Sequence, residues 1–408
     1  MAPVKKSVVI PPVQTLRPSW GATVLHAFIY LSRHAIMSSL VAVFIVQPLF
    51  QRFIVRNSYL QHLSNAALFT LVGAVLCHCV PWLFFNSIFL FFDSIHPQYG
   101  LPSLRNVAFL APLGRKMATY KLPRQPHQIP SAKLMLNTVG HAAFGQYVLI
   151  PTALYAALAY SDSCTRCASP PETPIVGFAP DDVAAYLRGQ NLLQMLTSLF
   201  VVAQHFLLAN AINEVGFYSA HALLHSNPTL YRMFHKKHHM YTGTIGIAAE
   251  YATPLEEVLA NAIPTVGYFV FMLFNFTREE ASHSAFVTSA RAWPLFMTWM
   301  WARLWETYEV HSGYCFENTW LGKLGLMHGH RARFHDFHHT HNVGNYGGAT
   351  FMDALFNTMD PYLVYRYPQK HPAPATPVEA EEVDEDVKAH HKLAEVTDAI
   401  HTVRAHVQ

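Results

Sequence analysis

The sequence predicts an all-α fold: a polytopic membrane helical bundle with a cytosolic, histidine-rich, metal-binding cap. Three observations predict it. Of 408 residues, 51% are hydrophobic and only 13% charged, against about 25% charged in soluble domains. Several apolar runs reach the roughly 20 residues that a helix needs to cross a bilayer. Histidines recur in three clusters spaced three and four residues apart, the spacing of one helix face.

The elements follow in chain order. The N-terminal "MAPVKKSVVIPPVQTLRPSW" sets prolines after its basic residues, unlike the apolar core of a secretory signal. Ala22 to Phe50 is a weaker span, because Arg33 and His34 lie inside it. Ala66 to Phe92 is the clearest, with Pro81 as a point of kinking. Leu134 to Tyr160 and Leu192 to Ile212 follow. Val258 to Phe276 and Ala285 to Ala302 are shorter, carry Pro264 and Pro294, and suit a hairpin or a re-entrant pair. After Pro368 the chain is Pro-rich and then acidic, as expected of a disordered tail with one amphipathic helix near its end. The expected division is a transmembrane region over 1–200, a histidine-bearing catalytic region over 201–367 and a tail over 368–408.

Loop charge predicts orientation. Between Asp93 and Lys133 stand Arg105, Arg115, Lys116, Lys121 and Arg124, which assigns that loop to the cytosol. The more acidic 161–191 segment is expected in the lumen, where Cys164 and Cys167 could form a disulfide. Counting spans from there returns both histidine-rich regions to the cytosolic side.

The stretch "HALLHSNPTLYRMFHKKHH" holds His221 and His225 at i and i+4, then His235, His238 and His239 at i, i+3 and i+4. Between them Asn227 suits a helix cap and Pro228 a first turn. "HDFHH" repeats the triplet as His335, His338 and His339, with Asp336 off its line. His311, in "EVHSGY", is a ninth candidate. Neutral imidazole is a common metal ligand. Four protein groups suffice for a zinc ion, so nine nitrogens are too many for one metal and suit two. The donor type admits zinc as well as iron; iron fits oxygen activation. His328, His330 and His341 are candidates for supporting the ligands, and Glu214 for a hydrogen bond to a ligand imidazole. Isolated histidines such as His78, His141, His205 and His283 read as ordinary polar residues.

The order HxxxH, HxxHH, HxxHH on an apolar chain resembles the fatty acid hydroxylase and sterol desaturase superfamily. Within it, "HKKHHMYTGTIGIAAEYATPLEEVLANAIPTVG", "EVHSGYCF" and "HDFHHTHNVGNYGGATFMDALFNT" resemble the sterol 4-methyl oxidases. The likeness covers roughly residues 205 to 365. It departs at Ala222, where arginine is common, and at Arg331-Ala332-Arg333, where Gly-Ala-Glu is frequent; neither removes a ligand. The resemblance implies a multi-pass protein of the endoplasmic reticulum membrane holding two iron ions. It implies oxygen-dependent oxidation of a sterol 4-methyl group, stepwise to alcohol, aldehyde and carboxylate. Electrons would come from a microsomal b-type cytochrome and an NAD(P)H-dependent reductase.

Two other readings stay open. One is another sterol or sphingoid-base hydroxylase or desaturase of the same superfamily. The other is a membrane metal transporter or metal-binding scaffold, which should carry ligands at mid-span rather than beside the spans. A net charge of +3 gives no argument for nucleic acid, and no phosphate-cradling glycine motif is present.

Overall fold

The structure, a computed structural model, describes residues 16–165 (save 56, 61, 62 and 64), 192–269 and 292–366. Among these residues helices dominate and no strand forms, apart from a single antiparallel bridge between Lys121 and Tyr314. Among the described residues three helices are long and apolar enough to cross a membrane: Trp20–Ile54, Leu71–Ser94 and Leu199–Ser226.

Helix α1 (Trp20–Val41) continues through π-helical and α-helical turns to Val55. Its buried residues Ala35, Ser38, Ser39 and Ala42 form one stripe of small side chains. Such a stripe lets two helices approach closely. The main partner is α5 (Leu192–Ser226), whose buried residues Val202, Phe206, Ala209, Asn210 and Asn213 also recur at helical spacing. The polar residues that weakened α1 as a span point inward. The His34 ring stacks on His328 with centroids 5.0 Å apart.

Helix α2 (Asn65–Thr70, Leu71–Cys79 and Val80–Ser94) contains the expected proline. Pro81 stands two residues after the end of the π-helical stretch Leu71–Cys79. A wider turn there relieves the clash that proline makes with the preceding carbonyls. Helix α3 (Ala111–Ala118) lies in the basic loop. Helix α4 (Ala132–Phe144, Gly145–Leu149 and Ile150–Thr165) covers the expected Leu134–Tyr160 run. The Leu192–Ile212 run lies in one helix that continues unbroken to Ser226, carrying His221 and His225 on its last turns.

After α5 come α6 (Pro228–Leu230), α7 (Pro254–Glu256, helical on to 269), α8 (Ala292–His311), α9 (Arg331–His341), α10 (Phe351–Phe356) and α11 (Asp360–Arg366). The turn expected around Glu279 and His283, and the tail beyond 366, lie outside the described residues. So do Cys167 and the side chain of Cys164; the cysteines described, Cys77, Cys79 and Cys315, are free.

One apolar core joins α1, α2, α5 and α8 through Ala35, Phe89, Phe206, Trp299 and Tyr308. Large apolar side chains such as Phe28, Phe84 and Phe200 are left on the outer faces. That distribution suits helices surrounded by lipid. Phe206 is fully buried. Phe206→Ala is expected to destabilise the detergent-purified protein by about 3–5 kcal/mol, read as a lowered unfolding midpoint.

Candidate metal centre

Five segments converge on one buried cluster of imidazoles. The end of α5 brings His221 and His225. Asn227 then breaks the helix, its side chain accepting from the backbone N–H groups of Thr229 (2.8 Å) and Leu230 (3.3 Å), with Pro228 in the first turn. A single helix face for His235, His238 and His239 is not what forms. A π-helical turn at Tyr231–His235 is followed by a tight 3-10 turn at His238–Met240. The last turn of α8 brings His311, and α9 brings His335, His338 and His339.

All nine sequence-predicted histidines fall into two groups. His221, His225, His235, His239 and His338 form one; His238, His311, His335 and His339 form the other. Within each group the candidate ligand nitrogens lie within 4.8 Å of one another. The sequence clusters therefore do not map one to one onto the groups. On α9, His335 and His339 serve the second group and His338 the first. Residues at i+3 and i+4 on a helix are about 100° apart around its axis. A helix wedged between two sites can thus face both.

The donor chemistry fits metal ions. Nδ1 of His221 donates to the carbonyl of Tyr346 (2.8 Å), that of His311 to Thr307 (2.8 Å), that of His338 to Gly344 (2.7 Å) and that of His339 to Tyr241 (3.0 Å). Nδ1 of His235 lies 2.6 Å from the Glu256 carboxylate. Each of these partners accepts, so Nδ1 carries the proton and Nε2 is left as a bare lone pair. Yet Nε2 of His221 lies 3.0 Å from Nε2 of His235, and neither has a proton to share. The pairs His239–His338 and His335–His339 are each separated by 3.1 Å, His311–His335 by 2.8 Å and His238–His311 by 3.4 Å. Nitrogens bound about 2.1 Å from one ion at right angles stand about 3.0 Å apart. Converging lone pairs at that spacing call for a cation between them.

Burial, and then the neighbouring imidazoles, hold His235, His238, His239, His335, His338 and His339 well below the usual histidine range. They are therefore neutral, the form that binds metal.

The surroundings hold this arrangement. The 344–349 loop presents the carbonyls of Gly344 and Tyr346 to the ligands, and it is pinned by two carboxylates. Asp353 accepts from the N–H groups of Tyr346 and Gly347 (both 2.7 Å), and Glu214 from that of Ala349 (2.7 Å). A Cβ on Gly347 would lie 2.7 Å from the Asp353 carboxylate, so a side chain there would displace the group that pins the loop. On the far side of α9, Asp336 takes Arg124 (2.8 Å) and the Thr244 hydroxyl (2.8 Å). That ties the basic 93–133 segment to the cluster, as do the Leu122 N–H to Gly313 carbonyl bond (2.9 Å) and the bond from the Lys121 ammonium to the Ser312 carbonyl (2.8 Å).

Some expectations shift. Glu214 binds the loop backbone rather than a ligand imidazole, because α5 aims it at Ala349. His328 pairs with Glu309 (2.9 Å), and His341 donates to the Phe337 carbonyl while stacking on that ring. Neither pairing involves a ligand imidazole. The isolated His78 and His205 find partners elsewhere, in Gln146 and Tyr268. Sequence reasoning missed Glu256 and Asp353. Glu256 had a local signal: "TPLE" reads as a capping box. Thr253 does cap that turn, but the Glu256 side chain reaches out to His235. Asp353 had none, since its role depends on how the loop before it folds back.

Residues 206–358 match the fatty acid hydroxylase family. The chain is 37% identical over 162 residues to methylsterol monooxygenase 1 of Danio rerio, covering 39% of this chain and 47% of that protein. It is 34% identical over 160 residues to methylsterol monooxygenase 1 of Gallus gallus, covering 39% and 47%. A fatty acid hydroxylase of Mycosarcoma maydis is 32% identical over 170 residues, covering 41% and 37%. The chain spans about half the length of the methylsterol monooxygenases it matches. No solved structure matches. The likeness read from the histidine blocks thus holds for the segment that carries all nine candidate ligands.

Glu256→Ala removes the acceptor that orients His235. It is expected to weaken metal retention about 10–100-fold in chelator competition on purified protein, followed by elemental analysis. Retention equal to the parent's would show that Glu256 does not orient a ligand.

Proposed function

We propose that this chain, related to the fatty acid hydroxylases across residues 206–358, is a membrane-bound oxidoreductase that oxidises the 4-methyl group of sterols with molecular oxygen. The observation that carries the reading is the pair of all-nitrogen groups, five and four imidazoles, with lone pairs converging beside long apolar helices. The naming of relatives as methylsterol monooxygenases supports the sterol substrate.

His221, His225, His235, His239 and His338 would hold one iron ion, and His238, His311, His335 and His339 the other. Iron supplies the oxygen chemistry needed to oxidise an unactivated methyl group, which side chains alone lack. The protein's part is positioning. Glu256 and the carbonyls of Thr307, Gly344, Tyr346 and Tyr241 fix the tautomer of five imidazoles. The Tyr346 ring, with its centroid 5.0 Å from that of His225, and the burial of the cluster keep bulk water away.

The basic 93–133 segment packs on the cluster, so the positive-inside rule supports a cytosolic side for both. That side of the endoplasmic reticulum membrane would receive electrons from a b-type cytochrome and an NAD(P)H-dependent reductase. The Mycosarcoma maydis fatty acid hydroxylase favours a second reading, in which the substrate is a fatty acyl chain.

Microsomes from a strain lacking its own methyl oxidase test the proposal. The parent chain is expected to convert a 4-methyl sterol, and purified protein to hold about two irons per chain. His338→Ala is expected to abolish turnover, while His127→Ala, in the exposed Pro126–Gln128 turn, stays near normal. Oxidation of a fatty acyl lipid in place of the sterol would favour the second reading. A single zinc unaffected by iron supply would sink both.

A further inference from the structure

A small polar gap lies beside the metal centre, lined by Tyr30 of α1, Asn213 and Glu214 of α5, Arg303 and Glu306 of α8 and Arg331 of α9. Along the sequence these residues precede the candidate ligands. Glu214 is seven residues before His221, about 10 Å along the helix. Glu306 and Arg331 come about one turn before His311 and His335. The gap therefore lies within about two helical turns of the imidazoles along three of the helices that carry them.

Its charges are only partly matched. Glu306 is fully engaged: it pairs with Arg303 and Arg331 and accepts from the Tyr30 hydroxyl (2.7 Å). Glu214, 5% exposed, gives one oxygen to the Ala349 N–H, and its Oε1 has no partner. Nε of Arg331, 4% exposed, and Nε of Arg303 are also unpartnered. Buried polar atoms are rarely left so, because each loses its hydration without replacement. The gap thus offers one vacant acceptor and two vacant donors. An alcohol matches that set, since a hydroxyl donates once and accepts as well. A ketone can only accept, an ammonium group can only donate, and a carboxylate would be set against Glu214.

We propose that this gap seats the hydroxyl of a lipid alcohol substrate, donating to Glu214 Oε1 and accepting from Nε of Arg303. The assignment rests on the sterol reading above. Sterols carry their hydroxyl on the carbon beside carbon 4, so anchoring it here would hold the 4-methyl group toward the imidazoles. Glu214 is then a specificity residue as well as a support for the 344–349 loop.

Glu214→Gln separates the two roles. Its amide oxygen can still accept from Ala349, while its NH2 replaces an acceptor by a donor at the gap. Equilibrium binding of a 3-hydroxy-4-methyl sterol and its 3-ketone would be measured on the full, metal-loaded chain in nanodiscs. The parent is expected to prefer the alcohol by about tenfold or more, and Glu214→Gln to lose or invert that preference with metal content intact. Arg303→Lys, which removes one Nε donor, is expected to weaken both ligands by a similar factor. It decides the matter if Glu214→Gln fails to fold. An alcohol-to-ketone ratio unchanged in Glu214→Gln, unchanged affinities in Arg303→Lys, or equal binding of both sterols by the parent, as for a gap that holds a buried water only, would overturn the assignment while leaving sterol turnover in place. Binding of neither sterol would overturn the functional reading and this one together.

Discussion

Nine imidazoles are drawn together, five of them held by an acceptor at Nδ1 so that a bare Nε2 lone pair faces the others, and the rest of the structure answers to that constraint. In the pair His221 and His235, both Nδ1 protons are committed to acceptors elsewhere and the Nε2 atoms lie 3.0 Å apart. Without a cation the cluster is a concentration of repulsive dipoles in a site that excludes water. With one, each Nδ1 hydrogen bond becomes a means of aiming an Nε2. The carbonyls of Gly344 and Tyr346 are therefore as much part of the centre as the histidines they hold.

Such aiming has to be rigid, which accounts for the buried carboxylates around the cluster. Asp353 and Glu214 hold the 344–349 loop from two sides, and Asp336 fastens the back of α9 to Arg124 and Thr244. Glu306 binds two arginines and a tyrosine between α1, α8 and α9. Buried charges of this kind are costly unless paired, so each pairing restricts how the helices can sit. Among the buried polar atoms without a partner, those on Glu214, Arg303 and Arg331 share the lining of one gap.

The apolar helices serve the same end. α5 runs without a break from its apolar start to His225, and α8 ends at His311. A long helix is a stiff support, so the ligands at its end are positioned by packing many residues away. Small residues on α1 let α5 approach closely, while large apolar side chains stay on the outside. One architecture thus meets lipid on its flanks and carries a polar centre at one end.

The helical class and the nine histidines were legible in the sequence because both are local signals: apolar runs of sufficient length, and imidazoles three and four residues apart. The break at Asn227 was legible for the same reason, since a cap depends only on its immediate neighbours. The grouping of the histidines was not. His235 and His239 join His338, and His238 joins His311, because two separate turns and the angle of α9 decide which side chains face which site. Nor were the acceptors behind the imidazoles, which come from 6 to 125 residues away along the chain, apart from Thr307. Spacing along a chain determines which residues share a face. Only packing between distant segments determines what that face meets, and that was left to the tertiary structure.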